Sequence, residues 1–480
     1  MTDGNETRFL FQELGTRKVE VDFGGGYLAS DGGGILLREL ERHSGVVRDL
    51  ADCFVDHRDP RYVEHRVEEL LRQRIQGLAL GYEDLNDHDH LRRDPLHALL
   101  CGKSDPLGQE RVQARDCGKA LAAHATLNRL ELGAEALDER CRKIEAQPEK
   151  MEALLIRRGV KAIPRRSAEI VLDFDATDDP LHGQQEGAYF HGYYRHYCYL
   201  PLYCFCGNIP LWAQLRDCKR DASAGTVEAL EKIVPAIRQR FGRQVRIIVR
   251  ADSGFARDAI LTWCEAHDVF YCVGLARNDR LQKYLQPLFE GLKAQLEAGS
   301  LPSPCRAFTE FAYATLDTWS RARRVIGKAE VLPQGDNPRF IVTNLPADGG
   351  GKPEQAARVA PAALYEQLYC ARGDMENQIK AQQLDLFADR TSTHWLASNQ
   401  LRLWFSAFAH LILSTLQAEV LAGTELERAS FGQIRLRLFK IATRVRVSVR
   451  RIHLELCSAH PLQALFAVAH QRLRSLPTAL

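Results

Sequence analysis

The sequence predicts a mixed α/β fold behind a mainly helical N-terminal region, and three observations predict it. Between residues 166 and 278, strand patterns and helix patterns alternate. From Ile35 to about Gln147, apolar residues recur at intervals of three and four, the period of buried helix faces. Beyond residue 279, two alternating runs flank a turn-rich segment before helical periodicity returns at Leu364.

At 480 residues the chain exceeds one ordinary core, so several domains are expected. Residues 18 to 36 hold two strand-like fragments and two glycine triplets, Gly24 to Gly26 and Gly32 to Gly34, which read as turns. They do not form a phosphate-cradling loop, because no GxxxxGK[ST] follows, and His97 stands where Cys101-Gly-Lys-Ser104 would need its upstream glycine. Helical stripes follow in Leu36, Leu37 and Leu40, then in Val63, Val67, Leu70, Leu71, Ile75 and Leu78. The polar segment Asp84 to His90 reads as a solvated loop between helices, with a metal site as the sharper alternative.

Pro164 with Arg165 and Arg166 marks a boundary, giving a mainly helical region over 1–165. A strand to Thr177 opens the next part, followed by strands at Tyr193–Phe205 and Pro210–Arg216 and a helix at Thr226–Phe241. A strand to Asp252, a helix near Ala259–His267 and a strand at Val269–Leu275 complete 166–278. Three strands, helix, strand, helix, strand is the order of an RNase-H-like domain, which binds substrate at strand ends. Alternation at Arg323–Val331 and Arg339–Leu345 predicts a β-rich insertion over 279–360. The split domain resumes over 361–425 with helices at Leu364–Leu384 and Asn399–Val420. A basic C-terminal region spans 426–480.

Composition excludes several classes. Hydrophobic content of 45% with 26% charged residues excludes wholesale disorder. The apolar run Trp404–Leu416 is broken by Ser406 and His410 and is too short to span a bilayer. The N-terminus shows no basic-then-apolar leader, and thirteen scattered cysteines without a CxxC pair read as reduced, so a cytoplasmic location is expected. Cys204 and Cys206 read as strand residues rather than half a zinc site. The net charge of +2 does not announce nucleic-acid binding, but its distribution does more.

Three carboxylates carry the chemistry. Asp175 ends the buried-strand pattern Glu169–Thr177, and Asp252 ends Val245–Phe255. Asp173 shares a face with Asp175, and Asp178 and Asp179 follow, so the first position has rivals. Tyr369, Arg372, Glu376 and Lys380 fall on one helical stripe, which alternatively is an exposed face laced by weak ion pairs. Gly373 within that helix points to close approach of a backbone or ligand. Carboxylates converging from two strand ends and a helix supply the oxygen ligands that hard divalent cations require. Arg and Lys beside them suit phosphate.

Several stretches together give a resemblance over nearly the whole chain. They are Asp173–Gly183, Arg250–Phe255, Tyr369–Asn377, Leu78–Asn86 and Asp385–Ser392. The chain resembles bacterial insertion-sequence transposases of the Asp-Asp-Glu class, and more narrowly the insertion-sequence-thirteen-eighty family. The resemblance implies Asp175, Asp252 and Glu376 as catalytic metal ligands for two Mg²⁺ or Mn²⁺ ions. It matches Tyr369, Arg372 and Glu376 to the family signature. Related transposases carry Lys seven residues after the Glu, whereas this chain has Gln383 there and Lys380 one turn earlier. It further implies that the 1–165 region binds DNA at terminal inverted repeats and that 426–480 serves DNA contact and dimerisation, with endonucleolytic cleavage at those repeats, strand transfer into target DNA, and a homodimer pairing two ends. Trp319, with Arg323 nearby, would stack on a flipped base; a buried tryptophan is the packing alternative. From Arg444 to Leu454 basic and apolar residues alternate, so Arg444, Arg446 and Arg450 form a stripe for a DNA backbone or a charge-protected sheet edge. The rival functions are an RNase-H-like nuclease without strand transfer, and a non-catalytic DNA-binding relic.

Overall fold

A computed structural model describes residues 8–132, 143–349 and 353–476. The chain forms two compact units, one of residues 1–147 with 412–480, the other of residues 148–411.

The second unit is built on a large mixed sheet. Its elements are α1 (Pro148–Ala162), β1 (Glu169–Ala176), β2 (Leu202–Cys206), β3 (Ile209–Gln214), α2 (Thr226–Phe241) and β4 (Arg246–Ala251). They continue as α3 (Asp258–Ala266), β5 (Phe270–Leu275), α4 (Asp279–Glu297), β6 (Cys305–Tyr313), β7 (Arg323–Leu332) and β8 (Arg339–Thr343). Strand order is β3-β2-β1-β4-β5-β8-β7-β6. The pairs β1–β4 and β4–β5 are parallel; the remaining neighbours are antiparallel. The two alternating runs expected in a separate insertion, β7 and β8, together with β6, therefore extend the same sheet. The insertion's alternating residues bury Val325, Ala329 and Val342 on one face, and Ile326 and Ile341 on the other.

Each face is covered. Ile170, Leu172 and Phe174 of β1 alternate onto the face that packs with Ile156 and Val160 of α1 and Leu230 and Ile233 of α2. Helix α1 thus belongs with the sheet, which moves the division from Pro164 to residue 147. The opposite face, with Val171, Ile248, Cys272 and Ile341, packs on Leu364 and Tyr365. Those two residues lie in a helical stretch, Pro361 to Asp385, that is not uniform. It passes through π-helical Leu364–Tyr369, a 3₁₀ turn at Cys370–Arg372, α-helical α5 (Gly373–Lys380) and π-helical Ala381–Asp385. Departures from α geometry of this kind gather at functional sites.

In the first unit the longest helices before residue 133 are Ile35–Ser44 and Val67–Leu80. The helix Gln463–Ser475 packs on Ile35–Ser44. The hairpin Thr443–Ser448/Arg451–Leu456 takes Leu28–Ala29 as a third strand. The second glycine triplet is more than a turn. A Cβ on Gly33 would lie 1.8 Å from the Leu438 carbonyl oxygen, so glycine is needed for the chain to pass there. Beside it, Asp31 is fully buried. Its carboxylate accepts from the Tyr82 hydroxyl at 2.6 Å, lies 3.0 Å from His97 Nε2, and is 2.6 Å from Lys440 Nζ. Burial alone would raise its pKa, but hydrogen bonds and charge from His97, Lys440 and Tyr82 prevail and hold it at about 2.

The Asp84–His90 segment is not simply a loop. Asp87–Leu91 is a short helix, and His88 is buried with Nδ1 3.1 Å from Gln73. Burial pushes His88 down to about 3, so it is a neutral core residue. No helix among the described residues is long and apolar enough to cross a membrane.

A candidate active site at two strand ends

Parallel pairing sets the first two carboxylates side by side. The β1–β4 register places Asp173 opposite Arg250 and Phe174 opposite Ala251. One residue further along each chain stand Asp175 and Asp252, on the sheet face that carries the Pro361–Asp385 helical stretch. Asp252 caps the 3₁₀ turn Ser253–Phe255, its carboxylate accepting from Gly254 N at 2.8 Å.

The same register separates Asp175 from its rivals. Asp173 is buried and held by both Nε and Nη2 of Arg250, the latter at 2.8 Å, while Arg250 Nη1 donates to the Leu368 carbonyl at 2.6 Å. Asp178 pairs with His196 at 2.7 Å. Asp179 accepts from Gln383 Nε2 at 2.6 Å. Gln383 therefore ties the helical stretch to the loop after β1. Burial pushes Asp179 up to about 8, against the Gln383 hydrogen bond.

Asp175 is the one that faces the helix. Arg372 Nη1 donates to its Oδ2 at 3.0 Å, and Arg372 Nη2 donates to Glu376 Oε1 at 3.0 Å. One guanidinium thus joins the strand end to the helical carboxylate. Burial raises the Asp175 pKa to about 6, with Arg372 opposing and the Asp252 and Glu376 charges adding to the rise. Tyr369 lies one turn back. Burial also raises its pKa, and Arg372 and Asp252 both act on it.

Gly274 of β5 makes this packing possible and was not singled out in the sequence. A Cβ there would stand 2.6 Å from the Tyr369 hydroxyl and 2.9 Å from Ser253 N. The available signal was a glycine inside an otherwise apolar strand. Gly373, by contrast, has open space where its Cβ would be, so the close approach expected there is not found among the described residues.

Among the described residues, no three His, Cys, Asp or Glu side chains stand together closely enough to hold an ion as placed. The donor chemistry nevertheless fits a hard divalent cation. The Asp252 and Glu376 charges both act on Asp175, Asp175 is held partly against ionisation, and a cationic group already bridges Asp175 and Glu376.

Other predicted positions lie elsewhere. Lys380 is exposed on α5. Trp319 is packed in the core, its ring edge-on to Tyr313 and its Nε1 donating to the Ala256 carbonyl at 3.4 Å. Arg323 is buried beside it and bonds Asp258, Thr262 and Glu265. As placed, neither side chain is presented to a base, which is the packing alternative. Along Thr443–Ser448 the alternation is as read: Thr443 and Val445 are buried while Arg444 and Arg446 are exposed, and Arg450 is exposed at the turn. Arg446 pairs with Glu455 at 3.1 Å.

The family model described as "Transposase DDE domain group 1" matches residues 11–478. No curated protein matches the chain. Among solved structures, a cryo-EM structure of the piggyBac transposase synaptic complex with hairpin DNA is 10% identical, covering 86% of this chain and 80% of that one at a TM-score of 0.39.

Proposed function

The chain belongs to the family of group 1 DDE-domain transposases, and from that premise we propose that it is an insertion-sequence transposase of the thirteen-eighty family. It would cleave DNA at terminal inverted repeats and join the freed end to target DNA. The observation that carries this reading is the Arg372 bridge. It links a strand-end aspartate to a helical glutamate across 201 residues of chain, beside a second strand-end aspartate. The strand order β3-β2-β1-β4-β5 supports an RNase-H-like core under this site, with β6 to β8 as its insertion.

Asp175, Asp252 and Glu376 are the residues that would hold divalent metal, Mg²⁺ or Mn²⁺, as two ions. When bound, such ions supply activation of an attacking oxygen and stabilisation of a leaving oxygen at phosphorus. The chain's own groups do the rest. Arg372 orients the Asp175 and Glu376 carboxylates and presents a planar donor fork suited to phosphate. Tyr369, set by Gly274, offers a hydroxyl beside Asp252. Lys380, exposed on the same helix, is available to the DNA backbone, and Arg444, Arg446 and Arg450 would contact backbone phosphates elsewhere along it. Arg250 keeps Asp173 paired and out of the reaction. Two protomers would bring two ends together.

The test is Mg²⁺-dependent cleavage of DNA carrying the element's terminal repeats. Asp175→Asn and Glu376→Gln are expected to abolish it while end binding persists. Retained cleavage in either variant would refute the site. Pre-cleaved ends then separate transposase from plain nuclease: joined product is expected, and its absence favours the nuclease.

A further inference from the structure

Trp319 is packed away in the core, and exposed rings stand instead beside the candidate active site. Just past the end of β1, Asp179–Pro180 pairs with His196–Tyr199, which pairs in turn with Tyr189–His191. The result is a short ribbon rich in Tyr and Phe whose two faces differ. Tyr189 stands opposite Cys198 and His191 opposite His196; on this side Cys198 is buried and His196 Nε2 lies 2.7 Å from Asp178. Phe190 stands opposite Tyr197 on the other side, and these two residues are 48% and 54% exposed. Tyr193, at the turn, meets Tyr194 edge-on at 5.0 Å and is 83% exposed. Tyr194 is half-buried. Burial raises its pKa to about 12, and the charges of Asp178 and Asp175 add to the rise, so the ribbon lies within electrostatic reach of the strand-end carboxylate.

We propose that the Tyr189–Tyr199 ribbon is a stacking platform for single-stranded DNA, with Phe190, Tyr193 and Tyr197 against unpaired bases and Arg195 on the backbone. The inference rests on the reading of DNA as substrate and adds the form of DNA that this edge of the site takes. Two observations favour that occupant over an apolar protein surface. The first is charge. The ribbon contains no acidic residue, Arg195 is exposed and pairs with no carboxylate among the described residues, and Lys219 Nζ lies 4.9 Å from the centre of the Tyr189 ring. Cations interleaved with open rings suit a polyanion that carries flat bases, and base–aromatic stacking tolerates any sequence. The second is place. The ribbon is anchored through Asp179 and through the His196–Asp178 pair to the loop after Asp175, so bases flanking a phosphate held there are the ones within its reach. A duplex keeps its bases stacked on one another and offers the rings nothing, so the platform separates the two forms of DNA.

The experiment is equilibrium binding of the full chain, in chelator, to a labelled mixed-sequence single strand and to the matching duplex, read by fluorescence anisotropy. Tyr193→Leu combined with Tyr197→Leu keeps apolar bulk but removes two rings. It should weaken single-strand binding by about a hundredfold, at about tenfold for each ring, and leave duplex binding within about twofold. Tyr193→Phe combined with Tyr197→Phe keeps the rings and should bind both forms as the unaltered protein does. A strand carrying iodouracil, irradiated in the complex, should cross-link to the ribbon. Far-UV circular dichroism checks folding, and Tyr193→Leu alone, at the exposed turn, gives the reading should the double variant unfold. Leucine variants that hold the single strand unweakened overturn the proposal, as does an equal loss on single strand and duplex, or cross-linking confined to other segments. Because no metal is present, failure here leaves the cleavage test of the carboxylates untouched.

Discussion

Asp175→Asn is expected to make the metal-free protein more stable while destroying its activity. The Asp175 side chain is only 16% exposed and its pKa is raised from 3.8 to about 6, chiefly by burial. A carboxyl whose folded pKa lies above its unfolded value destabilises the fold once ionised. Wild-type stability is therefore undiminished below about pH 4 and falls as pH rises through about 6. A shift of about two units corresponds to roughly 3 kcal/mol, and the neutral amide, standing in for the protonated acid, recovers a gain of that order. Urea unfolding in chelator would read it: no difference at about pH 4, and a raised midpoint for the variant at about pH 8. Added Mg²⁺ should then stabilise the wild type more than the variant, because a ligand stabilises only the state that binds it. Equal stability at both pH values would refute the electrostatic account of the site. A gain that persisted at low pH would assign the effect to packing instead.

Three further outcomes are expected. Gly274→Ala should cost about 1–3 kcal/mol of stability and most of the cleavage rate, because its methyl meets Tyr369 and the Ser253 backbone; thermal melts and cleavage assays read the two effects. The buried Asp31 cluster should contribute about 2 kcal/mol above pH 4, lost as pH falls from about 4 towards 2, since the folded pKa is depressed; Asp31→Asn should remove that acid dependence of unfolding. Replacing Arg444, Arg446 and Arg450 together with glutamine should weaken DNA binding uniformly across sequences, and lower the salt slope of log affinity by about 3 if each meets one phosphate.

The strand ends were legible because their chemistry is local. Ile-Val-Leu before Asp173 and Arg-Ile-Ile-Val before Arg250 can only be buried strands, and a carboxylate just past each is conspicuous. The helical stripe of Arg372 and Glu376 was legible for the same reason. What spacing could not show was register. Only the pairing of Asp173 with Arg250 explains why Asp175, two residues on, is the carboxylate that faces the helix. Trp319 failed to disclose itself because a tryptophan among arginines reads alike whether exposed or buried; its neighbour Arg323 is satisfied by Asp258 and Glu265, about sixty residues earlier in the chain. The position of α1 with the sheet was hidden because its apolar stripe does not say which core it meets.

The unevenness of the Pro361–Asp385 helical stretch bears on how this chain tolerates changes in length. A π turn carries a surplus residue relative to an α turn. Removing one residue within Leu364–Tyr369 would therefore let the stretch relax to regular helix with Arg372 and Glu376 still aimed at Asp175. Removing one between Arg372 and Glu376, where the helix is regular, would instead swing Glu376 by about 100° and draw it back by about 1.5 Å, off the Arg372 bridge. The π turn is accordingly where this stretch can absorb a change in length, and the α-helical turn after it is where it cannot.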